Sequence, residues 1–130
     1  MADFAKVNLR ELEDMAPGAG FRGIEARFAR RPLAATICGL SLQRLAPGAR
    51  SPFGHRHRRQ EELYVIVAGH GRMKLEDEVI ELRPFDAVRV APQTARAFEA
   101  GPDGLEFLAF GAPAGDARDA EILQGWWDAP

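Results

Sequence analysis

Turn-forming residues interrupt this sequence every eight to twelve positions, and no long amphipathic helix fits between them. The intervening segments are short and carry Val, Ile, Leu, Tyr and Phe, which favour strands. Short β segments with regularly spaced turn signals are typical of a sandwich or barrel, not of an α/β fold. We therefore predict an all-β barrel with helical turns confined to the two ends of the chain.

The predicted strands are bounded by Gly, Pro and acidic clusters. In chain order they cover residues 24–29, 34–45, 63–68, 72–75, 79–82, 87–90, 96–99 and 105–110. Gly69-His70-Gly71 is interpreted as the turn that ends one of them. Asn8 and Glu11 have the spacing of a capping box, which predicts a short helix over 8–15. One further helical turn is expected within residues 116–130.

Composition restricts the classes of protein to which the chain could belong. The 130 residues, 46% of them hydrophobic, predict one globular domain with an arm (1–30), a barrel (34–110) and a tail (111–130). The net charge of −2 argues against nucleic acid as a partner, and no apolar run is long enough for a membrane helix. Cys38, expected to be buried in mid-strand, is the single cysteine, so no internal disulfide can form. We expect a cytoplasmic protein.

The segment His55-Arg56-His57 carries the strongest chemical signal in the sequence. In an extended strand, residues two apart point to the same side, so both imidazoles would converge. Glu62 opens the most apolar strand a few residues later. Two imidazoles and one carboxylate suit a divalent transition metal and leave coordination positions open. A basic surface loop is the alternative interpretation, because Arg56, Arg58 and Arg59 surround the histidines.

The spacing of these residues resembles the first motif of the cupin superfamily. Gly48 precedes the His-x-His pair, four residues separate His57 from Glu62, and six separate Glu62 from Gly69. One departure is that six residues, not five, separate Gly48 from His55. The resemblance, which runs from about residue 40 to 110, implies a double-stranded β-helix, or jelly roll, with a site inside the barrel. The chain is similar to the small single-domain bacterial cupins.

The second cupin motif is altered. Phe85 stands where its turn has a glycine, and the segment 91–93 replaces Pro-x-Gly. Arg96 falls at the position of the fourth ligand, a histidine, and Ala100 at that of an asparagine. Arg stays protonated and cannot coordinate a metal. Either Arg96 points along the barrel mouth and leaves a three-ligand metal site, or it pairs with Glu62 in a metal-free pocket that binds anions or carboxylates.

The predicted site therefore has two groups of residues. His55, His57 and Glu62 are the candidate metal ligands, for Zn, Ni, Mn, Fe or Cu, although the pocket could equally hold no metal. Arg96, Tyr64 and Phe98 are the candidate ligand-binding residues, of which Tyr64 shares the inward parity of Glu62. A metal would imply an oxygenase, isomerase or lyase acting on a small molecule. Without one, the chain would be a binding module for an organic acid or sugar, or a structural protein with a vestigial pocket.

The resemblance also bears on assembly. Cupins commonly pair through sheet edges and exchanged terminal arms, and pairing hides edge strands that would otherwise aggregate. The sequence has an arm before its first long strand. We therefore expect a homodimer, with a small molecule, and neither nucleic acid nor membrane, as its other partner.

Overall fold

A computed structural model describes residues 1–128, and they form eight β-strands and three short 3₁₀ turns. The strands, in chain order, are β1 (Ile24–Phe28), β2 (Gly39–Leu45), β3 (Gly54–His57), β4 (Glu61–Leu75), β5 (Glu78–Leu82), β6 (Ala87–Val90), β7 (Arg96–Ala112) and β8 (Ala120–Leu123). The 3₁₀ turns are Leu9–Glu11, Pro17–Ala19 and Trp126–Asp128. Ala129 and Pro130, the end of the predicted tail, lie outside the described residues.

The strands form one antiparallel sheet that curls into a jelly-roll barrel, which confirms the predicted fold class. Along one path the order is β1-β2-β7-β3-β8, and β4 pairs with β5, β6 and β7. The long strands β4 and β7 are the centre of this arrangement, because each pairs with three others. All pairing is antiparallel, so strand alternation sends every second side chain into the barrel.

The barrel core consists of the inward-facing side chains of β4 and β7. Tyr64, Ile66 and Met73 from β4 are almost fully buried, as are Phe98 and Phe107 from β7. The rings of Phe98 and Phe107 stack at 4.1 Å between centroids, and Tyr64 meets Phe98 edge-on at 5.0 Å. These aromatic contacts hold Tyr64 and Phe98, two of the predicted site residues, in place.

Strand β4 continues through the segment that the sequence predicts to be a turn. Gly69-His70-Gly71 lies within β4, where the pairing with β7 shifts register twice. A Cβ at Gly69 would stand 2.1 Å from the carbonyl oxygen of Gly104, and one at Gly71 would stand 2.3 Å from that of Glu99. The glycines therefore allow β7 to approach closely and do not end the strand. Likewise, the two strands predicted at 96–99 and 105–110 are one strand, β7.

The N-terminal segment forms less helix than predicted. Within the predicted helix at 8–15, only the 3₁₀ turn Leu9–Glu11 forms, and the Asn8 side chain accepts a hydrogen bond from the Arg10 backbone N–H. Asp14 then accepts backbone hydrogen bonds from Ala16 and Ala26, at 3.0 and 2.9 Å. These bonds bring the chain onto β1 and end the helical conformation before residue 15.

The C-terminal segment contains a strand that the sequence analysis did not predict. Strand β8 pairs with β3, with His57 opposite Ala120 and His55 opposite Ile122. Beyond it, the Trp127 indole N–H donates to the carbonyl of Phe98 at 3.2 Å. The tail therefore packs on the barrel wall beside the two histidines.

Cys38 and its surroundings also differ from the prediction. Strand β2 begins at Gly39, after a turn segment in which Ala34 has a φ of 54°, so the predicted strand at 34–45 is too long. Cys38 is consequently exposed, not buried in mid-strand. Within residues 1–128, no helix has the length and apolar character needed to span a membrane.

Candidate ligand-binding and metal site

Three neighbouring strands bring the predicted site residues together at one end of the barrel. His55 and His57 lie two apart in β3, and Glu62 is the second residue of β4. Arg96, the first residue of β7, is the register partner of His55. His55, His57 and Glu62 form a group whose ligand atoms all lie within 4.8 Å of one another. The predicted convergence of the two imidazoles and the carboxylate is thus confirmed.

One oxygen atom, Oε1 of Glu62, is the meeting point of four side chains. The Tyr64 hydroxyl donates to it at 2.5 Å and Nη2 of Arg96 at 2.6 Å. Nε2 of His55 lies 3.2 Å from the same oxygen, and Nε2 of His57 lies 3.3 Å from it. Glu62 is 8% exposed, so its carboxylate is largely shielded from water.

Arg96 is the most deeply buried charged residue of the cluster, with 0% exposure. Its guanidinium also donates to the Tyr64 hydroxyl at 3.2 Å and to the carbonyls of Pro92 and Thr94 at 3.1 and 2.7 Å. All three guanidinium nitrogens are therefore engaged with the protein. Of the two orientations that the sequence left open, the structure shows the one in which Arg96 pairs with Glu62.

The cluster determines the ionisation of its members. Burial opposes the charge on Glu62, but hydrogen bonds from His55, His57 and Tyr64, together with the charge of Arg96, outweigh it and hold the Glu62 pKa well below its usual range. Burial, together with the neighbouring Glu62 carboxylate, raises the pKa of Tyr64. Glu62 is thus a carboxylate and Tyr64 a neutral hydroxyl at neutral pH.

The spacing of the donor atoms fits a divalent metal. Two ligands at about 2.1 Å from a metal, and at about 90–110° to each other, stand about 3.0–3.4 Å apart. The distances of 3.2 and 3.3 Å from Glu62 Oε1 to the two Nε2 atoms fall in that range. His55, His57 and Glu62 are therefore grouped as possible ligands of one ion.

The hydrogen bonds on Glu62 do not fit a metal as well as the distances do. A carboxylate oxygen offers two lone pairs, and Oε1 already accepts short hydrogen bonds from Tyr64 and Arg96. The other oxygen, Oε2, accepts from the Gln60 amide at 3.2 Å. A metal at Oε1 would have to displace one of two short hydrogen bonds, and it would face the fixed positive charge of Arg96.

Asp119 is a site residue that the sequence analysis missed. Its Oδ2 lies 3.0 Å from Nδ1 of His57, on the side of the ring opposite to Glu62. Burial raises the Asp119 pKa, but backbone N–H groups of Gln60 and Arg59 and the His57 ring lower it by more, so it lies below its usual range. The signal that could have revealed it was a strand in the tail, since β8 places residue 119 beside β3.

A cavity of about 650 Å³ opens from this cluster into the barrel. Its polar end contains His55, His57, Gln60, Glu62 and Tyr64. Its remaining walls are mostly apolar and include four phenylalanines, which are Phe21, Phe28, Phe53 and Phe98. Both ends of the chain contribute to the walls, through Met15 and Ile122 among others. Size and lining are those of a site for a small organic molecule.

The three predicted ligand-binding residues lie at different depths. Tyr64 and Phe98 line the cavity, as does the carboxylate of Glu62. Arg96 lies behind that carboxylate and outside the lining residues, and its donors are occupied. Direct contact between Arg96 and a bound anion stays a prediction, whereas its contact with Glu62 is part of the structure.

Comparison with known proteins identifies the family. The sequence pattern of the Cupin domain matches residues 41–110, which is more than half of the chain. The fold and the His-x-His…Glu cluster define a barrel protein with an internal site, and the chain belongs to the cupin domain family. A curated relative, an uncharacterized protein of Methanocaldococcus jannaschii, is 34% identical over 71 residues, which cover 54% of this chain and 57% of that protein. The match thus spans little more than half of the relative's length.

Solved structures with the same fold have diverse functions. A cupin protein from Bacteroides fragilis is 29% identical, with 89% of each chain covered and a TM-score of 0.73. Pac13, described as a nucleoside dehydratase, is 19% identical, with 92% of this chain and 90% of that one covered and a TM-score of 0.73. Oxalate decarboxylase from Lactobacillus farciminis, in a formate complex, is 17% identical, covering 100% and 39%, at a TM-score of 0.78. The last two likenesses show the fold alone.

Proposed function

We propose that the protein binds a small organic molecule in the barrel cavity. Side chains at the polar end of the cavity contact the molecule directly, and no resident metal takes part. The observation that carries this proposal is the buried pair of Arg96 and Glu62, 2.6 Å apart. Arg96 stands where the resemblance places the fourth metal ligand. In this cupin it supplies the positive charge that the Glu62 carboxylate requires.

Electrostatics supports a metal-free site. A guanidinium about 5 Å from a divalent ion, at an effective dielectric constant of about 20, costs roughly 6–7 kcal/mol. Arg96 cannot swing away to relieve this repulsion without breaking its hydrogen bonds to the carbonyls of Pro92 and Thr94. Attraction between the metal and Glu62 offsets only part of the cost, because that carboxylate is already neutralised by Arg96.

The chemistry of the cavity defines the class of ligand. The apolar walls match a hydrocarbon or ring-containing body, since such walls bind by excluding water. At the polar end, Glu62 Oε2 carries one described hydrogen bond, from Gln60, and so can accept another from a hydroxyl or N–H group. Nε2 of each histidine lies beside the other oxygen, Oε1, at 3.2 and 3.3 Å. We infer a small organic acid, sugar or similar molecule with at least one hydroxyl or N–H donor.

Native mass spectrometry and elemental analysis of the untagged protein test the proposal. The expected result is less than one-tenth of an equivalent of Zn, Ni, Mn, Fe or Cu, together with a small organic molecule that is released on unfolding or found by thermal-shift screening of acids, sugars and nucleosides. Gln60→Ala removes an amide at the polar end and should weaken binding of that molecule. Arg89→Ala, at an exposed ion pair with Glu61, is the matched control. A stoichiometric metal in the protein as purified would contradict the proposal.

A second candidate function is favoured by the donor spacing alone. A divalent transition metal on His55, His57 and Glu62 would supply a Lewis acid or an O₂-activating centre, with open positions for substrate. The chain would then be an oxygenase, isomerase or lyase acting on a small molecule. The elemental analysis distinguishes this candidate from the first, because only the second needs one equivalent of metal.

We also propose that the protein is a cytoplasmic homodimer. Leu63 and Phe110 are register partners on the outer face of β4 and β7, and they are 46% and 38% exposed. Adjacent exposed apolar side chains on a sheet are typical of an interface. Light scattering at micromolar concentration should give twice the mass of the 14.3 kDa chain. The mass of a single chain, unchanged in a Leu63→Lys variant, would contradict the dimer.

A further inference from the structure

Asp119 makes four contacts with the consecutive residues 57–60, the segment that includes His57. Its backbone carbonyl accepts from the Arg58 N–H at 2.8 Å, and its Oδ1 accepts from the Arg59 N–H at 3.0 Å. Its Oδ2 accepts from the Gln60 N–H at 3.2 Å and lies 3.0 Å from Nδ1 of His57. One tail residue thus fixes the backbone after β3 and contacts the ring at its end.

These contacts place a hydrogen on Nδ1 of His57. Backbone N–H groups only donate, so both oxygens of Asp119 act as acceptors. If Nδ1 were bare, its lone pair would face an acceptor oxygen at 3.0 Å, which is unfavourable. With a hydrogen on Nδ1, the same contact is a charge-assisted hydrogen bond.

We propose that Asp119 is a positioning residue: it keeps a hydrogen on Nδ1 of His57 and holds the ring with Nε2 turned toward the polar end of the cavity. Nε2 lies on the opposite side of the ring, 3.3 Å from Glu62 Oε1, and His57 lines the cavity. The ring is thus fixed between two carboxylates, with Nδ1 on Asp119 and Nε2 directed at Glu62 and the polar end of the cavity.

The two histidines therefore have different roles within one cluster. The described contacts of the His55 side chain are to Glu62, through Nε2, and edge-on to the His57 ring at 5.1 Å. Of the two rings, that of His57 has a second described carboxylate partner, Asp119, in addition to Glu62. The presentation of His57 Nε2 to a bound molecule rests on the proposed function, whereas the protonation of Nδ1 does not.

Nitrogen NMR of the ring atoms tests the inference on ligand-free protein labelled with ¹⁵N-histidine. The chain has three histidines, so spectra of His55→Gln and His70→Gln assign the signals of His57 by elimination. The chemical shift of a ring nitrogen differs widely between its protonated and bare forms. Asp119→Asn removes the anionic acceptor and can direct its amide N–H to the ring. Glu121→Gln, two residues away on β8 and paired with Arg56, is the matched control.

The parent and the Glu121→Gln variant should show a protonated Nδ1 at His57. Asp119→Asn should move that Nδ1 signal toward the bare-nitrogen shift and leave His55 and His70 unchanged. A bare Nδ1 in the parent overturns the inference, and this result does not depend on the folding of any variant. An Asp119→Asn spectrum identical to the parent's overturns it equally. Any metal found in the protein as purified is removed with a chelator before the spectra are recorded, so failure of the proposed function leaves this test intact.

Discussion

Arg96 and Glu62 form a buried ion pair whose members are individually costly to lose. Burying an unpaired charge is strongly unfavourable, so removing one partner of such a pair costs about 3–5 kcal/mol. Removing both leaves no bare charge, and the loss is then smaller. Glu62→Gln and Arg96→Met should each lower the free energy of unfolding by about 3–5 kcal/mol, and the double variant by less than their sum. Urea unfolding of the four proteins measures this, and strict additivity would contradict the pairing.

The same pair makes stability depend on acidity. The pKa of Glu62 is lower in the folded protein than the ordinary value of 4.5, so its stabilisation is fully present above pH 4.5 and is lost as the pH falls below it. The urea midpoint of the parent should therefore decrease more steeply below pH 4.5 than that of the Glu62→Gln, Arg96→Met double variant. Parallel pH profiles would show that Glu62 is not stabilised as an anion in the folded state.

At the scale of residues, the sequence reveals the main side chains of the site but not how all of them are held. His55, His57 and Glu62 could be predicted because strand parity and motif spacing are local properties. The direction of the Arg96 guanidinium was not predictable, since it depends on carbonyls of Pro92 and Thr94 that a turn brings together. Asp119 was missed because it is 62 positions from His57, and no local pattern relates the two.

At the scale of strands, Gly69 and Gly71 are required where the pairing of β4 with β7 shifts register. Gly69 has a φ of 76°, and its Cβ would overlap the carbonyl of Gly104. Gly69→Ala and Gly71→Ala should each lower the free energy of unfolding by about 1–3 kcal/mol, because backbone must shift to admit a methyl group. Gly18→Ala, with nothing within 4 Å, is the control and should change it by less than about 0.5 kcal/mol. Equal effects at the three positions would contradict the close approach.

The sequence predicted that most of the strands exist more accurately than it predicted where they begin and end. Segments 24–29, 79–82 and 87–90 match β1, β5 and β6 to within a residue, because alternation and turn residues bound them clearly. Gly69-His70-Gly71 and the Gly101-Pro102-Asp103-Gly104 segment were misleading, since in both places glycine permits a bulge or close packing inside a continuous strand. Strand β8 is short, and it is determined by its pairing with β3, not by its own sequence.

At the scale of the whole molecule, the two ends of the chain complete the cavity that the barrel begins. Phe21, from the segment before β1, and Ile122, from β8, both line it. Arg10 also bonds to the buried Glu106 of β7, at 2.6 and 3.2 Å, which ties the N-terminal segment to the barrel. The fold could be predicted from family spacing, but this enclosure could not, because it depends on long-range packing of segments with weak local signals.

The central claim is that Arg96 replaces a metal ligand both in position and in charge. Calorimetric titration of Ni²⁺ and Zn²⁺ into the parent and into Arg96→His tests it most directly, with Arg89→His as the control for a histidine added on the exposed surface. We expect no stoichiometric binding by the parent or the control, and one site of measurable affinity in Arg96→His, where a fourth donor replaces a fixed cation. Tight one-to-one binding by the parent, with no gain in a folded Arg96→His protein, would contradict it.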